Sequence, residues 1–164
     1  MQRGHMRKTL CASVVLCFIV LASIVSGAED VSPARKTKCP VCGMFVAMST
    51  DWNAKIEFKD STTAIFDGSK CMFKYFLDIK KYDPSKSRDD ISAVRVNDYH
   101  TKTPTDALSA YYVIWSDVYG PMGHEPIPFA KEADAKKFLK EHKGKKIIRF
   151  KDVNMKLITS LDNP

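Results

Sequence analysis

The 164-residue chain carries 26 basic and 19 acidic residues, a formal net charge of +7, with 45% hydrophobic residues and five cysteines. Removing residues 1–28 takes away three basic residues and no acidic one, so the excess falls from +7 to +4, scattered in small clusters such as Lys80-Lys81 and Lys145-Lys146. No coherent basic face with readout residues remains, which excludes nucleic-acid binding, and no glycine-rich phosphate loop, zincin pattern or nucleophile triad is present.

Residues 1–28 read as an export segment. Arg3, Arg7 and Lys8 precede an uncharged, apolar stretch from Leu10 to Val25, and Ser26-Gly27-Ala28 offers the small residues of a cleavage site before Glu29. A periplasmic or extracytoplasmic location follows. Cleavage is expected; an uncleaved anchor in the inner membrane is the alternative, since the apolar core falls only slightly short of the about 20 residues of a spanning helix. Leu10 and Leu16 stand before Cys11 and Cys17 where a lipoprotein site needs a small residue, so lipidation is not expected.

Residues 29–38 form a polar, flexible lead-in, and 39–164 one metal-binding domain with submodules at about 39–100 and 105–155. In the first, Trp52 to Phe58 alternates apolar and polar residues, the period of a half-buried strand, and Thr62 to Phe66 pairs with it across Lys59-Asp60-Ser61. Asp67-Gly68-Ser69 opens a helix of two to three turns carrying Met72, Phe73, Phe76 and Leu77, and Ile91 to Val96 is the next strand. In the second, Ala110 to Trp115 is a strand, and the breaker-rich loop Ser116 to Pro128 ends in a short strand at Ile127 to Phe129. Glu132 to His142 is a helix with Ala133, Phe138 and Leu139 inward and Gly144 as its stop, and Lys145 to Val153 a closing strand. Phe66 to Phe76 and Phe129 to Leu139 share their spacing. The fold class is therefore α+β, built of two successive β-β-α-β modules.

The chemistry concentrates in Cys39-Pro40-Val41-Cys42-Gly43-Met44. Soft sulfur donors select Cu(I), zinc or iron–sulfur chemistry, and a thioether among them favours cuprous ion. Gly43 can take backbone angles closed to other residues, letting Cys42 and Met44 turn toward one centre. Three readings compete for the C-x-x-C: a redox dithiol of Cys39 and Cys42, a structural zinc site lacking a second ligand pair, or a metal loop whose principal ligand is Cys42. The position of the motif near the exported N-terminus, with no strand before it, disfavours redox catalysis. Gly120-Pro121-Met122-Gly123-His124-Glu125 repeats the glycine-spaced pattern and offers Met122 or His124 as a further ligand. Cys71 reads as a buried structural thiol. Asp60, Asp67 and Asp117 read as turn residues, and His100 and His142 as surface histidines.

These segments, with Ile65-Phe66-Asp67-Gly68, Phe73-Lys74-Tyr75-Phe76 and Pro128-Phe129, resemble the NosL family. The resemblance implies an exported Cu(I)-binding accessory protein that delivers copper to nitrous oxide reductase, a copper-accepting client, and no catalysis of its own. It also implies a fold similar to the modules of organomercurial lyase. By position it places the principal copper ligands on Cys42 and Met44, with a further one from Met122 or His124 and Cys39 left open. Unlike many members, this chain has no lipobox.

Overall fold

Apolar residues at every second position make a half-buried strand, and the first sheet follows that rule. In β1 (Ala54–Phe58) Ala54, Ile56 and Phe58 are buried, while Lys55 and Glu57 are half-exposed. β1 pairs antiparallel with β2 (Thr63–Phe66), from Ala54 opposite Phe66 to Glu57 opposite Thr63. Asp60 closes the connecting turn as expected, accepting from Thr62 N at 3.1 Å and Thr62 Oγ1 at 2.7 Å. This computed structural model describes residues 36–162, so the expected export segment lies outside the described residues. Among the described residues no helix is long and apolar enough to cross a membrane.

Helix α1 (Ser69–Leu77) follows β2, then the short α2 (Ile79–Tyr82), then β3 (Ile91–Asn97) and β4 (Pro104–Asp106). The first sheet has the order β2-β1-β3-β4. After it come β5 (Tyr111–Ile114), a small hairpin of β6 (Tyr119–Gly120) and β7 (Gly123–His124), β8 (Ile127–Phe129), α3 (Glu132–Glu141), β9 (Lys146–Arg149) and α4 (Met155–Ser160). The second sheet has the order β8-β5-β9. In both sheets the first strand is central, and a helix begins three residues after a strand-end phenylalanine, Phe66 or Phe129. The mixed α and β class expected from the sequence is the class observed.

Strand β5 divides the interior. Tyr112 and Ile114 face the main core with Ile56, Phe66, Val94, Val96, Phe73, Tyr75 and Ile158, while Val113 joins a second core with Ile127, Phe129, Ala135 and Phe138. Each such side chain contributes about 1.5–3 kcal/mol on burial. The aromatic packing is edge-on: Phe73 meets Tyr112 at 5.2 Å, and the buried Tyr112 hydroxyl donates to Ala107 O at 2.7 Å.

Several expectations need correction. The closing strand stops at Arg149, because Phe150–Asp152 turns inward as a 3-10 turn. There the Phe150 ring packs against Phe73 at 5.1 Å and Phe76 at 4.9 Å, a gain that extended backbone would forgo. In α3 it is Ala135, not Ala133, that faces inward, since Ala135 lies three residues before Phe138 and Ala133 falls on the exposed face. Lys143, not Gly144, takes the left-handed conformation after α3, with φ 54°. Gly144 is needed for space: a Cβ there would lie 3.2 Å from the Leu139 Cα and closer still to Val113. The breaker-rich loop after β5 contains the β6–β7 hairpin, and α4, capped by Asn154 Oδ1 accepting from Leu157 N at 3.0 Å, had no strong signal.

Asp98 ties the end of β3 to the second module. It is 1% exposed and accepts from Thr101 N at 2.6 Å, Thr101 Oγ1 at 3.0 Å and Ala130 N at 2.6 Å. Burial pushes its carboxyl up, but the Ala130 and Thr101 N–H groups outweigh that and hold it below the usual range. Asp98→Ala is expected to cost about 2–3 kcal/mol in urea unfolding, because it removes three hydrogen bonds to a buried charged group. The folded-state value is depressed, so this contribution is present above pH ~4 and lost as pH falls through it. The gap between variant and wild type therefore narrows in acid.

Candidate metal centre

The cysteine loop is closed by its own backbone. Lys38 bridges to Phe45, Cys39 N donates to Met44 O at 2.8 Å, and Gly43 N donates to Cys39 O at 2.9 Å. Gly43 turns the chain with φ +79°, in open space, so the glycine is there for its backbone conformation. This fold-back buries Cys39 to 1% exposure and leaves Cys42 half-buried.

Two residues from the first module complete the cluster. Asp67 follows the last residue of β2, and Cys71 is the third residue of α1; both are 0% exposed. One ligand atom from each of Cys39, Cys42, Asp67 and Cys71 lies within 4.8 Å of all the others. All three cysteines are free thiols. Neither Asp67 carboxylate oxygen has a nitrogen or oxygen donor; the Cys71 thiol, a weak donor, is what it meets. A wholly buried carboxylate so poorly served is costly, and its position among three sulfurs is that of a group facing a cation.

The thiols are not equivalent. Cys71 donates to the Cys39 sulfur, which pulls the Cys39 thiol down to about 6 against the opposing effect of burial; the N–H groups of Asp67, Cys42 and Val41 add to the lowering. The same contact pushes the Cys71 thiol far up, reinforced by burial and by the Cys39 and Asp67 charges. Burial raises the Cys42 thiol to about 11, opposed by the Met44 N–H and aided by the Cys39 and Asp67 charges. Without a cation the cluster is thus poised to hold one negative sulfur at Cys39. Three sulfurs and a carboxylate suit a soft cation, Cu(I), or tetrahedral Zn(II).

Cys39 and Cys42, named from the sequence, come together here; His124 lies outside the cluster. Its ring stacks beside Tyr119 at 4.6 Å, and its buried Nδ1 has no hydrogen-bond partner. Met122 occupies the tip of the β6–β7 hairpin and packs, with Val41 and Cys42, against the same core that holds Cys39 and Cys71. Met44 is 37% exposed at the outer edge of the loop, near the exposed Phe45 and Met48. The sequence reading missed Cys71 and Asp67. Asp67 is not a turn cap: α1 has Gly68 at its N-cap and no side-chain cap bond. Asp117 instead pairs with His142 at 3.2 Å, which joins that histidine to the end of α3. The available signals were the odd thiol count and the short spacing that sets Cys71 four residues after Asp67, in the first turn of the helix that Asp67 precedes.

The model of one protein family, NosL, matches residues 30–158. Among solved structures, the copper chaperone NosL from Shewanella denitrificans superposes with a TM-score of 0.61 and 22% identity, covering 74% of this chain and 92% of that one. At that identity the likeness concerns the fold. No curated protein matches.

Proposed function

The chain belongs to the NosL family, and from that premise we propose that it is an exported Cu(I) metallochaperone that passes copper to a partner metalloenzyme, nitrous oxide reductase in the first instance. The observation that carries this reading is the buried quartet of Cys39, Cys42, Asp67 and Cys71, with its poorly served carboxylate. Cys39 and Cys42 bind the ion as thiolates, which already outweigh its single charge, and Asp67 presents a carboxyl oxygen beside them. The Met44 thioether and the Met122/His124 hairpin supply the weak, exchangeable contacts.

Transfer follows from the asymmetry of the site. Cys39 is sealed inside, whereas Cys42 and Met44 lie toward solvent. A client ligand can therefore attack the ion from the Met44 side and form its bond before the Cys39 bond breaks. Copper moves by ligand exchange and is never free. The chain is a carrier and turns over no substrate.

The alternative, a thiol-disulfide oxidoreductase working through Cys39 and Cys42, conflicts with the same geometry. Attack on a disulfide needs an accessible thiolate. Here the thiolate-prone sulfur is buried, and the accessible one at Cys42 holds its proton.

Titration of reduced protein with Cu(I) against a competing chelator is expected to give tight binding, with sulfur scatterers in X-ray absorption of the loaded protein. Purely nitrogen and oxygen scatterers would overturn the assignment. Incubation of the loaded protein with copper-free nitrous oxide reductase is expected to transfer copper even with excess chelator present; transfer abolished by the chelator would mean release into solution.

A further inference from the structure

The residue after His124 has no place in the ligand set, yet it is 1% exposed. One oxygen of Glu125, Oε2, accepts from Lys70 N at 2.7 Å, with Ser69 Oγ 3.2 Å away and giving its single hydrogen to the shorter bond with Pro126 O. The other, Oε1, accepts from Met122 N at 3.3 Å. The carboxylate is pressed against backbone: a Cβ at Gly68 would lie 2.9 Å from Oε1. Lys70, itself 0% exposed, completes the link, its ammonium donating to Met122 O and to Asp162 Oδ1 at 2.9 Å. Met122 O is thus held by Lys70 directly, and Met122 N through Glu125, which is itself bound to Lys70 N.

We propose that Glu125 is a positioning residue for copper capture: its buried carboxylate locks the β6–β7 hairpin, with Met122 and His124, onto the start of α1, which carries Asp67 and Cys71. The inference rests on the reading of this chain as a Cu(I) carrier. Only a carboxylate suits the place. Two backbone N–H donors converge from two segments, Lys70 N on one oxygen and Met122 N on the other, and a carboxylate accepts on both, whereas an amide must turn its NH2 toward one of those donors. Groups that orient metal ligands in this way are worth about 10–100-fold in metal affinity.

The test is a cycle of Cu(I) affinities, measured by chelator competition, for wild type, Glu125→Gln, the Met122→Ala/His124→Ala double variant, and the triple variant. Glu125→Gln is expected to weaken binding about 10-fold or more in the wild-type background and to add no loss in the double-variant background. X-ray absorption of loaded Glu125→Gln is expected to keep its thiolate scattering and to lose the weaker contribution of the hairpin. Equal loss in both backgrounds, no loss at all, or a hairpin double variant that binds as wild type would each overturn the proposal. Gly68→Ala, whose methyl displaces the carboxylate without removing its charge, is expected to give the same pattern and stands in should Glu125→Gln fail to fold. Failure of the carrier reading has a separate signature, which is wild-type affinity in Cys42→Ser.

Discussion

Cys39→Ser and Cys42→Ser are each expected to lower Cu(I) affinity by about 100-fold or more, while Cys71→Ser costs about 10-fold or less. The scale comes from binding energies of about 10–16 kcal/mol for four-ligand thiolate and imidazole sites, or about 3 kcal/mol per ligand. The inequality comes from proton chemistry. A sulfur ligates as thiolate, so a thiol that holds its proton charges copper for its removal. Cys39, at about 6, is already ionised at neutral pH, and Cys42, at about 11, gives up one proton to the ion. Cys71 is pushed furthest up and shares its proton with Cys39. A third thiolate around a monovalent cation would also leave the buried site strongly negative. One proton is therefore released per Cu(I) bound between pH 7 and 9, and affinity rises about tenfold per pH unit. Competition titrations across that range read the slope directly. A slope near two, with Cys71→Ser as damaging as the other variants, would mean that copper takes all three sulfurs.

The legible parts of this molecule are those that local chemistry dictates. The alternation around Ile56, the apolar spacing of Met72, Phe73 and Phe76, and the strand-end phenylalanines place β1, α1 and α3 within a few residues of where they lie. The Cys39-to-Met44 loop announces itself because soft donors rarely gather around a glycine by accident. What stayed hidden depends on tertiary approach. Nothing local distinguishes Asp67 from Asp60: each is an aspartate beside a turn, yet Asp60 satisfies itself on Thr62 while Asp67 is carried inside with no nitrogen or oxygen donor. Cys71 is equally mute, a small apolar residue on a helix until the fold-back of Cys39 reaches it. Gly144 misled for the converse reason. Its local meaning is a helix stop, but the packed Val113 side chain is what demands it.

The same contrast explains why the site is expensive to keep without its cargo. The buried Asp67 carboxyl and the Cys39 sulfur lie within 4.8 Å of each other, taken out of water with few donors to replace it. The neighbouring segment is over-determined by contrast: Glu125, raised to about 7 by burial against the opposing N–H and charge of Lys70, is surrounded by donors. Strain is thus concentrated at the ligands and withheld from their support, the pattern of a preorganised site.

Asp67→Asn is accordingly expected to act in opposite directions on the two states. In the metal-free protein it removes a buried charge that has no nitrogen or oxygen donor and offers an amide N–H toward the Cys39 sulfur. The fold gains about 1–3 kcal/mol, seen as a rise of several degrees in Tm. In the loaded protein two thiolates already outweigh the single charge of Cu(I), so what is lost is an oxygen donor of the cluster, and Cu(I) affinity falls by about 10–100-fold. Copper stabilises a protein by RT ln(1 + [L]/Kd), so the rise in Tm on loading must shrink in the variant by the affinity it has lost. Thermal melts with and without Cu(I), in excess reductant, read both effects in one experiment. A metal-free variant that melts below wild type, together with unchanged copper affinity, would make Asp67 a structural residue and reduce the centre to its cysteines. If the variant melts higher and binds weaker, the buried carboxylate is held in the fold at a cost to stability because the cargo needs it.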